Sequence, residues 1–146
     1  MDIYWDCTKS CSIKHFTTFI CIYTMLQTES WVIIADNSWA KTGQIIRILK
    51  WWTARKGTVG DRVVIAIKSV SPTSAFKKGD VSRAIIIRTK KGVRRKDGSY
   101  LKFSDNAVAL INKDNEPIGK RIFGPVAREL RDAGFKDVAS LAEEVI

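Results

Sequence analysis

Lysine and arginine are concentrated between Lys77 and Lys102 of this 146-residue chain. This segment contains ten of them and only two acidic residues, Asp80 and Asp97. Ten positive minus two negative charges give the segment a net charge of +8, compared with +10 for the whole chain. Cationic side chains at this density neutralise phosphates and release condensed counterions, which makes binding to a polyanion strong and salt-dependent. A solvated face whose lysines protect strand edges is the alternative interpretation. The charge density favours nucleic acid.

The cysteine and histidine residues, which could bind a metal ion such as zinc, all lie near the N-terminus. The three cysteines and the single histidine all precede residue 25. Their spacing lacks the paired Cys-x2-Cys of well-defined zinc modules, so we predict no metal site and no cofactor. Because the presumed core has no cysteine, disulfides do not stabilise it. The four residues are Cys7, Cys11, His15 and Cys21.

Catalytic constellations find little support in the sequence. No serine of the presumed core has a histidine partner, and no glycine-rich phosphate loop follows a strand. The aspartates stand in turn-like contexts, where their side chains favour the backbone conformation. We therefore predict that the protein is not an enzyme. The aspartates concerned are Asp36, Asp61, Asp80, Asp97 and Asp105.

Tryptophan could stack on nucleic-acid bases, and the chain has five of them. Trp51 and Trp52 point in opposite directions if the chain is extended, so at least one of them is expected to pack inside. We expect Trp31 to be buried as well. Trp39 lies in a turn beside Lys41 and is the best candidate for a surface contact.

Hydrophobic patterning predicts five strands separated by turns. Lys77-Lys78-Gly79-Asp80 reads as a tight basic turn, and Asp97-Gly98 favours a hairpin. Only these turns and the residues beside them are expected to reach a ligand, because Ile85 to Ile87 is assigned to the core. The predicted strands are Trp31–Ala35, Gln44–Trp51, Arg62–Val70, Val81–Thr89 and Val108–Ile111.

The C-terminal part reads as helical. A helix is predicted to begin at Pro125 and to stop before Gly134, and Ser140 with Glu143 has the spacing of a capping box for a last helix. The pattern indicates a small barrel at about 25–122 with a helical lobe at 123–146, preceded by an extension of unknown role at 1–24. The apolar stretch at 16–26 is too short to cross a bilayer, so no membrane contact is predicted.

Several segments resemble one family in order along the chain. Residues 25–146 are similar to the universal large-subunit ribosomal protein that is numbered fourteen in the bacterial scheme. The matching segments include Met25–Ser30, Ala35–Ser38, Val59–Asp61, Lys77–Asp80, Arg88–Lys91, Arg94–Tyr100, Arg121–Arg131 and Ser140–Ala142.

This resemblance implies a mainly β fold: a five-stranded β-barrel, a projecting β-ribbon and a C-terminal lobe of short α-helices. It implies a structural constituent of the large subunit that binds large-subunit rRNA beside neighbouring large-subunit proteins. Contact with small-subunit rRNA across an intersubunit bridge and docking of a ribosome-silencing factor are implied too. The alternative, from charge and aromatics alone, is a free single-strand nucleic-acid-binding barrel with a regulatory role.

Basic residues are assigned to two surfaces on these grounds. Those expected at an intersubunit or factor contact are Lys120, Arg121, Arg128 and Arg131. Those expected to bind rRNA are Lys41, Arg47, Arg55, Lys56, Lys77, Lys78, Arg88, Lys90, Lys91, Arg94, Arg95, Lys96 and Lys102.

Three departures from the family pattern bear on structure and compartment. Trp39 replaces a family glycine, the glycine pair after the second strand is replaced around Lys50-Trp51-Trp52, and residues 1–24 precede the usual start. The match is of the bacterial style. The unusual tryptophans and the extension favour a mitochondrial ribosome, with a bacterial cytoplasm or a plastid as alternatives.

Overall fold

The architecture comes from a computed structural model, which describes residues 25–50 and 56–146. The predicted extension with its cysteines, and also Trp51, Trp52 and Arg55, lie outside the described residues. The elements in chain order are β1 (Trp31–Ile34), β2 (Ala40–Ile48), β3 (Arg62–Val70), β4 (Val81–Arg88), β5 (Val93–Arg94), β6 (Tyr100–Leu101), β7 (Ala107–Ile111), β8 (Ile122–Val126), α1 (Glu129–Asp132), α2 (Lys136–Ser140) and β9 (Ala142–Val145).

Five strands close into the predicted barrel, in the order β1-β2-β3-β4-β7. Neighbours pair antiparallel except β1 and β7, whose parallel pairing closes the barrel. Strand β3 has the predicted bounds, whereas β2 begins at Ala40 instead of Gln44. Strands β5 and β6 form the expected ribbon between β4 and β7. The mainly β prediction is thereby confirmed.

Two hydrophobic cores lie on either side of β4 and β7. Ile86 and Leu110 belong to the core inside the barrel, whereas Ile85 and Ile87 belong to a second core under the C-terminal lobe. The assignment of all of Ile85 to Ile87 to the barrel core was therefore wrong. A strand that is covered on both faces is apolar at consecutive positions, and its sequence does not show which residue faces which core.

The C-terminal lobe contains a parallel strand pair that the sequence did not predict. Gly124 and Pro125 lie in β8, where the register with β9 shifts. Gly124 has a φ of +80°, a conformation that no α-helix accommodates. Helix α1 begins later, at Glu129. Ser140 ends α2 and donates its hydroxyl to the Asp137 carbonyl (2.7 Å) instead of capping a new helix. The predicted last helix is strand β9, which pairs with β8.

Trp31 is 60% exposed, so the expectation of burial was wrong. In β1 the residues alternate, with Val32 and Ile34 inside the barrel. Successive strand side chains point to opposite faces, and Trp31 therefore lies on the outer face with Ile33. The described residues contain no helix of the length and hydrophobicity that spanning a membrane requires.

Trp39 occupies a left-handed backbone conformation, with a φ of +64°. This is the position at which the resemblance implies glycine. A left-handed backbone conformation destabilises a residue that has a Cβ atom by about 1–2 kcal/mol. Glycine avoids this cost, but its greater conformational entropy in the unfolded chain offsets part of the gain in stability. We expect Trp39→Gly to raise the free energy of unfolding by about 1 kcal/mol in urea titrations. Trp39→Ala keeps the Cβ atom and should not gain; equal effects of both variants would contradict the strain.

Candidate nucleic-acid interface

The first basic turn, at Lys77 and Lys78, precedes β4. The Asp80 carboxylate accepts a hydrogen bond from the Lys77 N–H (2.7 Å), and the Asp80 N–H donates to the Lys77 carbonyl (3.1 Å). Gly79 supplies the positive φ of the turn, +99°. Both lysines are exposed. The turn is therefore closed by its own backbone and by Asp80, which leaves the two ammonium groups available to a ligand.

Trp39 belongs to the same end of the barrel as this turn. The Ser71 N–H donates to the Trp39 carbonyl (2.9 Å), and the Ser74 hydroxyl donates to the Ser38 carbonyl (3.2 Å). Lys41 follows at the start of β2 and is exposed. One end of the barrel thus carries three cationic groups and an exposed indole.

Aspartate side chains hold turns at both ends of the barrel. One Asp36 oxygen accepts from the Ser38 N–H (3.1 Å), and the other accepts from the Leu110 N–H of β7 (2.9 Å). Asp61 likewise accepts from the Thr58 N–H (2.7 Å). These two carboxylates and Asp80 hold turns, as predicted. Among the described residues, no group of three or more metal-ligating acid, cysteine or histidine side chains occurs.

The second basic turn connects the ribbon strands at the other end of β4. Arg94 pairs with Tyr100 across the ribbon, and Gly98 provides a φ of +81° in the turn. Arg94 and Lys96 are exposed. Eight residues of strand separate the first turn from the start of the ribbon segment, which corresponds to about 25 Å. The first basic turn therefore precedes β4, and the ribbon that carries the second basic turn follows the other end of β4.

Arg95 is tied to the C-terminal lobe. Its guanidinium donates to both Glu129 carboxylate oxygens (2.5 and 3.2 Å) and to the Ile146 carbonyl (2.8 Å). The hydrogen bond from Arg95 lowers the pKa of Glu129, against an opposing effect of burial, and the same bond raises the pKa of Arg95. The ribbon turn is thus fixed to α1, and Arg95 has fewer donors left for RNA than Arg94.

Because the Glu129 pKa is depressed on folding, its ion pair stabilises the protein above the ordinary value of 4.5 and is lost as the pH falls through the folded value. We expect Glu129→Gln to be less stable than the parent at pH 7 and equally stable well below pH 4.5. Urea titrations at both pH values measure this. Glu144→Gln, which removes an exposed carboxylate of β9, is the control. A difference that does not depend on pH would contradict the ion pair.

Arg88 is buried, although the charge pattern assigned it to the interface. Its guanidinium donates to the carbonyls of Phe123 (2.9 Å) and Pro125 (3.1 Å) and to the Asp105 carboxylate (3.1 Å). A Cβ atom at Gly124 would come within 2.6 Å of its Nη1, so glycine is what allows the approach. Arg88 joins the barrel end to the C-terminal lobe, and its buried guanidinium is used inside the protein and not at the interface.

Comparison with known proteins identifies the family of this barrel. The family described as ribosomal protein L14p/L23e matches residues 25–146. The chain belongs to the ribosomal protein L14p/L23e family. It is 51% identical over 121 residues to the large ribosomal subunit protein uL14 of Petrotoga mobilis (strain DSM 10674 / SJ95), which covers 83% of this chain and 99% of that protein. The L14p/L23e chain is a structural protein of the ribosome and not an enzyme.

The remaining predicted rRNA contacts of the L14p/L23e chain are distributed around the barrel. Lys91 is half-buried. Arg83 and Arg62 are exposed on barrel strands but were not predicted, because sequence reasoning followed the charge-dense turns. Their alternation with inward residues in β3 and β4 is the signal that could have found them. The predicted contacts that are exposed here are Arg47, Lys56, Lys90 and Lys102.

The second predicted surface of the L14p/L23e chain lies on the C-terminal lobe, and its four basic residues are all exposed. Arg121 forms an ion pair with Glu143 of β9 and lies 5.8 Å from the centre of the Phe123 ring. The backbone N–H of Arg128 donates to the Ile146 carbonyl (2.9 Å), so this hydrogen bond does not use the Arg128 guanidinium. Mixed charge and an exposed phenylalanine distinguish this surface from the two basic turns. Its other members are Lys120 and Arg131.

Proposed function

We propose that this L14p/L23e protein is built into the large ribosomal subunit by binding rRNA through its two basic turns. The observation that carries the proposal is the position of two exposed cationic pairs, one before β4 and one after it. Lys77 and Lys78 lie in the closed turn that precedes β4. Arg94 and Lys96 lie in the ribbon that follows β4. The name of the Petrotoga mobilis relative, a large-subunit protein, supports the same assignment. Large-subunit rRNA and neighbouring large-subunit proteins are the proposed partners.

The mechanism is phosphate neutralisation on a fixed scaffold. Each ammonium or guanidinium group that meets a phosphate releases condensed counterions, and this release supplies most of the sequence-independent affinity. Because the turns are closed by backbone hydrogen bonds and Asp80, little loop ordering has to accompany binding. Because β4 extends about 25 Å from the first turn to the start of the ribbon segment, one barrel can contact two separate stretches of a folded RNA.

The surface on the C-terminal lobe is proposed to meet small-subunit rRNA across an intersubunit bridge, or a ribosome-silencing factor. Its exposed arginines and the exposed Phe123 suit contacts that form after the protein is in place. We expect Arg121→Glu with Arg128→Glu to leave incorporation nearly unchanged and to reduce joined ribosomes several-fold relative to free large subunits. Gradient profiles measure both. Lys113→Glu, at an exposed turn, is the control; equal loss of incorporation would assign the arginines to large-subunit rRNA.

The cellular compartment of the protein is that of the ribosome to which it belongs. Identity of 51% to a bacterial protein supports a bacterial-type ribosome. A mitochondrial location stays a prediction, beside a bacterial cytoplasm and a plastid. Import of a reporter that carries residues 1–24 into isolated mitochondria would support the first, and localisation of the tagged protein to another compartment would contradict it.

A free single-strand nucleic-acid-binding barrel is the second candidate, and the exposed Trp39 favours it. Sucrose-gradient sedimentation of tagged protein separates the two. The ribosomal proposal predicts that the tag sediments with the large subunit and its rRNA. A tag that stays at the top of the gradient while large subunits are intact would overturn it.

A further inference from the structure

A cleft of about 320 Å³ lies between the ribbon and the barrel. Its walls include Gly57 and Thr89 from the barrel end, together with Lys91, Gly92, Arg94 and Tyr100 from the ribbon segment. The surface is almost wholly apolar, although two cations line it, so their aliphatic stems form the wall and their charged groups lie at the rim. Clefts of about 300–1,000 Å³ are of the size that holds one small ligand or group.

Tyr100 gives this cleft an aromatic wall. A Cβ atom at Gly92 would come within 2.1 Å of the Tyr100 Cε1, so the ring lies directly on the Gly92 backbone. Tyr100 is nevertheless 62% exposed. The ring is therefore supported from behind and still accessible, as a stacking platform must be.

Cationic groups stand beside that ring. Arg94 is the direct partner of Tyr100 across the ribbon. Lys91 is held near the cleft because the Thr89 hydroxyl donates to its carbonyl (2.7 Å). An unstacked nucleotide combines a flat base with anionic phosphates on either side, and an aromatic platform in a cleft that two cationic residues line complements both parts.

We propose that this cleft receives one unpaired nucleobase of the large-subunit rRNA, which stacks on Tyr100 while Arg94 and Lys91 contact the flanking phosphates. The inference rests on the proposed function and adds a mode of recognition to it. The base is read by its π-face and by the space available, so the cleft positions a single-stranded turn of the RNA with little dependence on base identity. An apolar side chain of a neighbouring protein would fill the cleft without using the two cations.

The test is chemical probing of large subunits that carry tagged variants. Dimethyl sulfate and a carbodiimide modify the Watson–Crick edges of accessible bases. Tyr100→Ala is expected to raise the reactivity of one unpaired nucleotide several-fold, and Tyr100→Phe is expected to keep the parental pattern. Gly92→Ala retains the tyrosine but displaces its ring, so it should expose the same nucleotide. Lys113→Ala, at an exposed turn outside the proposed interface, is the control and should leave that nucleotide protected.

Two results would overturn the inference, and they are distinguishable. If tagged Tyr100→Ala subunits assemble and no base changes its reactivity, the cleft holds no base while the proposed function stands. If the parental protein is absent from large subunits altogether, the proposed function fails first and the cleft assignment fails with it.

Discussion

Replacing Lys77, Lys78, Arg94 and Lys96 together by glutamine is expected to weaken binding to large-subunit rRNA about 1,000-fold at 0.1 M salt. Each lost phosphate contact removes about 0.8 log units of affinity under those conditions, through counterions that are no longer released. The slope of log affinity against log salt should decrease by about 3. Binding titrations with rRNA between 0.05 and 0.2 M salt measure both quantities. All four side chains are exposed, so the fold should tolerate the changes.

Matched controls make this result specific. Lys113→Gln with Lys136→Gln removes two exposed charges outside the proposed interface and should cost less than about threefold, compared with about 40-fold for Arg94→Gln with Lys96→Gln. Trp39→Ala should cost less than neutralising the neighbouring Lys77 and Lys78. The opposite ranking would favour the free single-strand binder, in which stacking dominates. Equal losses from every charge pair would indicate a general effect of net charge.

Arg88→Met is expected to lower the free energy of unfolding by about 3 kcal/mol, although the charge of Arg88 alone would place it on the surface. The substitution leaves the Asp105 carboxylate without its ion pair and the carbonyls of Phe123 and Pro125 without their donor. These carbonyls lie where the register between β8 and β9 shifts, so the strand pair does not replace the lost bonds. Urea unfolding at neutral pH measures the loss.

Arg94→Met is the control for Arg88→Met, because it removes an exposed guanidinium from the adjacent ribbon and should change stability by less than about 0.5 kcal/mol. Arg88→Lys keeps the positive charge but lacks the planar fork that reaches three acceptors, so an intermediate loss is expected. If Arg88→Met unfolded with parental stability and bound rRNA more weakly, Arg88 would be an RNA contact after all.

The barrel was predictable because its signals are local. Alternating or continuous apolar runs between turn residues located all five strands, and Gly79 and Gly98 marked two turns in which the structure requires a positive φ. The parallel pair of β8 and β9 was not predictable in that way, because it joins segments about 20 residues apart across two helices. Proline and glycine near residue 125 imitated a helix start, and only the long-range pairing decided against it.

The candidate interface was predictable as a region but not residue by residue. Charge density located both basic turns, yet it could not separate exposed cations from those used inside the protein. Arg95 finds its partner Glu129 34 positions away, and Arg88 finds carbonyls 35 and 37 positions away. Contacts between residues so far apart in the sequence follow from the packing of the lobe on the barrel. They produce no periodic pattern in the sequence. The cleft beside Tyr100 depends in the same way on the packing of the ribbon against the barrel.

The basic turns owe their geometry to the two cores. Residues 84–88 of β4 are buried, with Ile86 inside the barrel and Ile85 and Ile87 under the lobe. A close-packed strand of this kind has little freedom to bend. We propose that the cations of the turn before β4 and of the ribbon after it are thereby held in fixed relative positions, and that these positions orient the protein on a folded RNA.

Directed hydroxyl-radical probing tests the central claim most directly. In a chain whose Cys7, Cys11 and Cys21 are replaced by serine, Lys78→Cys and Lys96→Cys each accept a tethered iron chelate. Large subunits assembled with either variant are expected to show cleavage of the large-subunit rRNA, at two different sets of nucleotides for the two positions. Lys113→Cys with the same chelate should cleave elsewhere or weakly. Subunits that contain the tethered proteins and show no rRNA cleavage from either turn would contradict the account.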